Sequence, residues 1–447
     1  MKQLIALAAA LVVAAIPCRS DAQTAAQPSV LRLALEDAIR DGLQRSHRLA
    51  EAAARGEAAE AVTAERHAAT LPQVAALAGY TRTNHVDTFG ILLPTNQLKV
   101  IYPDVPDNYL TRLDLQWPIY TGGRLDAVER AARAEARASS DDLAAARADL
   151  RLDITRAYWA LVTAREALRV VEESVTRMDA HLQDVRNQLT AGLVPPNEVL
   201  SVEAQESRQR MLRIQARTTR DVTEAELARL IGAAPGTPIE PAASLEESPV
   251  EPGVPQAFAA LVERARQQRP ERAALTTRVA AAAERVKAAT AGTKPIIAVA
   301  GGFDHARPNP RIFPRESAWK DSWDASINLS WPLFDGRRAR AEVAQAVATS
   351  RASEERLADF DTMLAVELRE RGSELESSRA AIEAANDAVR SATEARRVVG
   401  ERFTAGVATS TDVLDAQVAL LQAELDRTQA IANARLAEAR LARALGQ

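Results

Sequence analysis

Four short stretches of this chain alternate apolar and polar residues, and between them run long stretches in which apolar residues return every three or four positions. The alternating stretches lie at about 73–83, 109–119, 296–305 and 322–333. In the second, Tyr109, Thr111, Leu113, Leu115, Trp117 and Ile119 share one face, with Arg112, Asp114 and Gln116 on the other. The fourth sets Trp323, Ala325, Ile327, Leu329, Trp331 and Leu333 against Ser322, Asp324, Ser326, Asn328 and Ser330. A period of two is that of a strand with one apolar face. The first and third are weaker strands, with Val74, Ala76, Ala78 and Tyr80, and Ile297, Val299, Gly301 and Phe303, on the apolar side. Each strand pair is joined by a loop rich in Pro, Asn and Asp, at about 84–108 and 306–321.

The helical stretches are long. From Arg124 to Leu189, and again from Arg338 to Phe403, there is no proline and almost no glycine. About 65 residues of continuous helix reach roughly 100 Å, more than a compact domain can hold. Each ends in Thr-Ala-Gly, where Gly192 or Gly406 suits a helix C-cap, and each restarts after it, at Pro195-Pro196-Asn197 or Thr409-Ser410-Thr411. The return helices carry a 3.5-residue seam, Leu200, Ala204, Ser207, Met211, Ile214 and Thr218 on one and Leu414, Val418, Leu421, Leu425, Thr428 and Ala432 on the other. This spacing predicts that the seam holds each return helix to its neighbour. Residues 31–71 and about 257–292 read as two further helices, closed by Pro72 and Pro295 and long enough to stack on the return helices.

These features occur twice. Trp117-Pro118-Ile119-Tyr120-Thr121-Gly122 answers to Trp331-Pro332-Leu333-Phe334-Asp335-Gly336, Thr190-Ala191-Gly192 to Thr404-Ala405-Gly406, and Leu230-Ile231-Gly232 to Ala444-Leu445-Gly446, always 214 residues apart. A constant offset means equal element lengths, hence a duplicated architecture. Pro72 and Pro295 are 223 apart, so nine residues differ between that proline and the Trp-Pro pair, most simply in the loop. The expected organisation is a leader at 1–22, a first repeat at 23–232 (helix, strand pair 73–119, helical hairpin 121–232), a Pro-rich linker at 233–255 near mid-length, and a second repeat at 256–447 (helix, strand pair 296–333, hairpin 336–446).

Composition narrows the class. Lys2, the apolar run Leu4 to Ile16 and then Ser20-Asp21-Ala22 read as a signal peptide cleaved after Ala22. Cys18, the only cysteine, falls within it, and Pro17 and Ala15 disfavour a lipid anchor there. After residue 22 no apolar run approaches the ~18 residues of a membrane helix, so any crossing of a bilayer must be made by strands. Aromatic residues are only 4% and alanine is abundant, which suits close helix packing. The net charge of -4, with basic residues dispersed among acidic ones, argues against nucleic acid as a partner. The five histidines lie apart, Gly122-Gly123 lacks the remainder of a phosphate loop, and no catalytic, metal or cofactor constellation is present. No enzyme activity or cofactor is expected. Four strands cannot close on themselves, and an open sheet edge in hydrocarbon leaves unsatisfied groups at several kcal/mol each. Two copies would give eight strands, which side chains fill, whereas three leave a water channel.

The doubled WP(I/L)(Y/F)xG, the doubled TAG turn and the segment Phe403 to Gln417 (FTAGVATSTDVLDAQ), in this order and spacing, resemble the TolC-like outer membrane efflux protein family over essentially the whole mature chain. The resemblance implies a mainly α fold with a membrane β-barrel. In it, duplicated helical hairpins form a trimeric α-barrel through the periplasm, and four strands per subunit contribute to a shared twelve-stranded β-barrel in the outer membrane. It implies an exit duct of a tripartite efflux pump or type I secretion system, a homotrimer working with a periplasmic adaptor protein and an inner-membrane transporter. By the same resemblance Asp412 and Asp415, with Glu198 as the partial counterpart in the first hairpin, line a pore constriction. Thr190, Ala191, Gly192 and Leu193, with Thr404, Ala405, Gly406 and Val407, form the tips that dock the adaptor. Ala408 stands where some members carry a basic residue, which counts against a gate latched there. Trp117 and Trp331 end the apolar strand faces, where an aromatic belt meets outer membrane lipid. For Asp412 a simpler reading is an acidic residue complementing the helix dipole. A periplasmic adaptor with a helical hairpin is the competing function, and two hairpins with two amphipathic strand pairs disfavour it.

Overall fold

A computed structural model describes residues 30–245 and 257–447; residues 1–29, which contain the expected leader with Cys18, and residues 246–256, which contain the rest of the expected linker, lie outside the described residues. The first half runs β1 (Leu31–Leu33), α1 (Leu35–Arg45), α2 (His47–Ala68), β2 (Gln73–Arg82), β3 (Phe89–Leu92), β4 (Leu98–Tyr102), β5 (Asp107–Tyr120), α3 (Arg124–Thr190) and α4 (Pro196–Ile231). After β6 (Ile239–Pro241) the second half gives α5 (Phe258–Gln268), α6 (Pro270–Thr290), β7 (Ile296–Arg307), β8 (Lys320–Ser330), α7 (Arg338–Thr404) and α8 (Ser410–Ala444).

The four expected strands form one antiparallel sheet in the order β2-β5-β7-β8. Its register aligns all four apolar faces. Leu115 pairs with Val74 and Gly301, Leu113 with Ala76 and Phe303, and Phe303 in turn with Trp323. Since paired residues point to the same side, one side of the sheet is a continuous apolar surface. The other side carries Gln116, Asp114, Arg112 and Asn108 with Asp304, Asp324 and Ser326; Leu77, Leu110 and Ile296 are its large apolar exceptions. Both edge strands, β2 and β8, end the sheet with an unpaired side. β8 stops at Ser330, short of the expected 333, because Pro332 has no N–H for the ladder. The twin Pro118 is kept in β5, where it pairs only with β7 and the register shifts by one between Pro118 and Tyr120. The longer first loop contains the hairpin β3-β4, which the loop-like composition concealed.

α3 and α7 are each 67 residues long, matching the expected spans within one residue. α3 lies at the centre, packed by α4 and α8 toward the hairpin tips and by α2 and α6 toward the sheet, while α7 packs on α8, α6 and α5. The helices expected at 31–71 and 257–292 are each broken. The first opens with β1, which pairs in parallel with β6, and then divides at Ser46, whose Oγ accepts from Leu49 N–H and starts a new helix. The second divides at Arg269, ahead of Pro270. These breaks receive the ends of the return helices: Gly232 abuts Arg45, and Gly446 abuts Gln268. The stacking expectation therefore holds for α2 and α6, with α1 and α5 set to the side. Gly446 has φ +88°, and a Cβ there would stand 2.7 Å from the Gln268 carbonyl carbon, so only glycine fits the junction.

The largest core sits at this mid-length level. Tyr158, Ile154 and Leu161 of α3, Leu227 of α4 and Ile239 of β6 are fully buried there. Tyr158 Oη donates to Leu33 O and accepts from Ala243 N–H, both at 3.2 Å, fastening the β1-β6 pair to α3. A second core, with Met178, Val185, Val199, Val202 and Leu414, lies near the tips. The predicted seam holds for most of α8, where Leu414, Leu421, Thr428 and Ala432 are buried and Leu425 partly so, while Val418 is 41% exposed. It is wrong for α4: Leu200 and Ile214 are each 64% exposed, and the helix is held instead by Val199, Val202, Glu206 and Gln209. Ser174 and Gln209, both 1% exposed, share a hydrogen bond across that contact, so polar side chains hold a face from which the apolar seam is turned away.

Candidate functional site: barrel face and hairpin tips

The apolar side of the sheet is bounded by aromatic residues at both ends. Trp117 Nε1 donates to Thr70 O and Trp331 Nε1 to Thr293 O, each at 3.2 Å. Each indole thus bonds a carbonyl at the close of the helix that leads into its strand pair, and both residues remain exposed. At the far end Tyr80, Tyr109, Trp319 and His305 form a run of ring contacts, with His305 stacked on Trp319 at 4.8 Å. Between these belts the surface carries only apolar or small residues and Thr111, and Trp323 and Ile327 are three-quarters exposed. A water-facing sheet would not be built so. The opposite side is charged: Arg112 Nη1 donates to Asp304 at 2.9 Å and to Asp324 at 3.1 Å, and Nε to Asp114 at 2.6 Å. Arg112, Asp114 and Asp324 were legible as polar-face residues, whereas Asp304 on the weak third strand was not.

At the other end of the molecule the two tips are copies of each other. Gly192, at φ +73°, donates to Leu189 O while Leu193 N–H reaches Gln188 O; Gly406, at φ +75°, and Val407 repeat this with Phe403 O and Arg402 O, all at 2.9 Å. The positive φ lets the chain reverse directly after the last helical turn. Thr190 and Thr404 return their hydroxyls to Arg186 O and Gly400 O, and Ala191 and Ala405 serve as the C-caps. Leu193 and Val407 stand 74% and 63% exposed at the outermost points.

The candidate constriction residues are near these tips but are not alike. Asp412 accepts from both N–H and Oγ–H of Thr409 at 2.8 Å, completing a capping box with the Thr409 side chain. These donors, the backbone N–H first, hold its carboxyl below the usual aspartate range. Asp415 lies one turn on and is exposed, and Glu198 is half-exposed in the first turn of α4. A neighbouring residue escaped the sequence reading. His181 of α3 is 6% exposed, shares a 3.0 Å hydrogen bond with Ser410 Oγ of α8, and meets Phe403 of α7 edge-on. Burial lowers its pKa, with Asp184 acting weakly in the other direction. Among the described residues no helix is long and apolar enough to cross a membrane and no cluster of metal-binding side chains occurs.

The chain matches the family described as outer membrane efflux protein over residues 38–233 and 261–447. Protein CyaE of Bordetella pertussis is 30% identical over 244 residues, a match spanning 54% of this chain and half the length of CyaE. Outer membrane protein TolC of Vibrio cholerae is 24% identical across 89% of this chain and 87% of its own. The fold is shared with the outer membrane protein VceC of Vibrio cholerae, at TM-score 0.75 and 20% identity over 92% of this chain and 96% of that one. The chain belongs to the outer membrane efflux protein family, and is an outer membrane channel of the kind that serves as exit duct, not an enzyme.

Proposed function

We propose that three copies of this chain close into a twelve-stranded barrel continued by a barrel of helices, and that this homotrimer conducts substrates passively from periplasm to exterior for an efflux pump or a type I secretion system. One observation carries the reading: a sheet with one continuous apolar face and two unpaired edges is joined to helices whose own flanks are open. In lipid those edges cannot remain single. β2 and β8 run in opposite directions, so the β8 of one copy meets the β2 of the next in the same antiparallel sense that holds the rest of the sheet. The outward seam on α4, with Leu200, Met211, Ile214 and Val222 exposed, lies on the helix at one flank of the bundle, while α7 bounds the other. An exposed coiled-coil seam fits a helix of the neighbouring copy.

In this arrangement Asp412, Asp415 and Glu198 ring the periplasmic constriction and favour cations. The tips, Thr190 to Leu193 and Thr404 to Val407, dock a periplasmic adaptor that links the duct to an inner-membrane transporter, and Trp117 and Trp331 rest at the lipid boundary. The test is a pair of cysteines, one on β2 and one on β8 of the same chain. Within one copy those strands are opposite edges of the sheet, so only contact between copies can join them. Oxidation should give covalent dimers and trimers from outer membranes, and a product that stays monomeric would contradict the assembly.

A further inference from the structure

On the charged side of the sheet, residues of β7 that should face open water are buried. Asp304 is 4% and Ala306 1% exposed, whereas Phe303 on the apolar side is 46% exposed. What covers them is the loop between β7 and β8, folded back over that side. Asn309, 2% exposed, donates to Lys320 O at 3.0 Å and to Ser322 Oγ at 2.9 Å, while its Oδ1 accepts from Arg311 N–H. Arg311 then reaches down to Asp324 at 2.6 Å and Asp304 at 3.5 Å, the two carboxylates that Arg112 also holds. Two guanidiniums and three carboxylates, counting Asp114, make one interlocked cluster over β5, β7 and β8. A Cβ on Gly302 would overlap the Arg112 guanidinium, so the bare glycine makes the cluster possible. Four residues on, Arg315 ties the same loop to the first one, donating to Tyr102 Oη at 2.7 Å and Asn108 Oδ1 at 2.8 Å.

We propose that residues 308–315 are a strap across the exterior end of the lumen and that Arg311 is the positioning residue that holds it inward, so that this side chain sets the size of molecule the exit admits. The inference rests on the duct reading, because only in a closed barrel is the charged side the lumen. There three straps, one per copy, converge on the water path. Without Arg311, Asp304 and Asp324 share the single guanidinium of Arg112, and the loop loses its ion pairs to these two carboxylates on the lumen side of the sheet. A bidentate or charge-assisted contact between partly buried groups is worth more than a surface pair, and it is removed by one substitution.

The test reads access from outside and so does not depend on the periplasmic constriction. Cys18 is the only natural cysteine and lies in the leader, so Gln116→Cys places a reporter thiol on the lumen side of β5, below the strap. Intact cells are treated with a small maleimide and with one carrying a long polyethylene glycol. With Arg311 present, the small reagent should label the reporter thiol and the bulky one should be excluded; Arg311→Ala should let the bulky reagent label, and Arg311→Lys should keep it out. Arg311→Gln reads the same contact should the alanine variant yield no trimer. Equal bulky labelling with and without Arg311 would overturn the strap. Failure of the small reagent to label the reporter at all would instead remove the lumen from this face, and the duct reading with it.

Discussion

Leu115 is the residue on which the orientation of the sheet can be tested most sharply. It lies on the apolar side, paired with Val74 and Gly301, between the Trp117 belt and the belt at Tyr109. An arginine there would stand in the lipid one pleat inside the Trp117 belt, at a cost between the midplane and interfacial values, about 1 to 2 kcal/mol per chain. A trimer carries three, so assembly loses about 3 to 6 kcal/mol, or roughly two to four powers of ten in the association constant. Gln116, the next residue, faces the other way and pairs with Gln73 and Ala300, so Gln116→Arg places the same charge in water, at a cost within about 0.5 kcal/mol. The assay is the yield of trimer extracted from outer membranes with mild detergent, compared for the two variants. Leu115→Arg should give almost none, and Gln116→Arg should match the parent. Equal yields would show that the apolar side does not face lipid.

Tyr158→Phe should lower stability by about 2 kcal/mol, because Leu33 O and Ala243 N–H lose their buried partner; an unchanged thermal midpoint would remove that bridge from the mid-length core. Asp412→Ala with Asp415→Ala should reduce cation preference in a planar bilayer, and unchanged selectivity would take both residues out of the pore. Asp412→Ala alone should also fray the start of α8, with amide exchange at Thr409 as the readout and equal exchange as the contrary result. That cap contributes fully above the ordinary aspartate pKa and is lost only as pH falls through the lower folded value. His181 has a lowered pKa through burial, so the fold is at full strength above the ordinary histidine value and weakens as pH falls from there toward the folded one. Acid should therefore lower the unfolding midpoint in the parent more than in His181→Phe, and identical acid shifts would exclude the histidine.

The elements that the sequence made plain are those with a strict period or a fixed punctuation. The strand faces around Leu115 and Trp323 were legible because alternation survives over ten residues. The tips were legible because Thr-Ala-Gly recurs at a constant offset. What stayed hidden depends on partners distant in the chain. Ser46 breaks a helix whose pattern runs straight through it, and Leu31 and Leu33 join a strand 208 residues away at Ile239 and Pro241. The α4 seam shows the limit clearly: the 3.5-residue period was read correctly, but period alone does not say whether the partner is the same chain or another copy. Arg311 was invisible for a different reason, since a loop residue has no period, and its meaning lies in Asp304 and Asp324 on the strands that flank it.

Single-channel recording of the purified mature chain in a planar bilayer tests the central claim most directly. Three copies enclosing water through lipid should insert as uniform steps of current that scale with bulk salt conductivity. Protein that remains in solution as a single rod, or binds the bilayer without producing such steps, would contradict the duct.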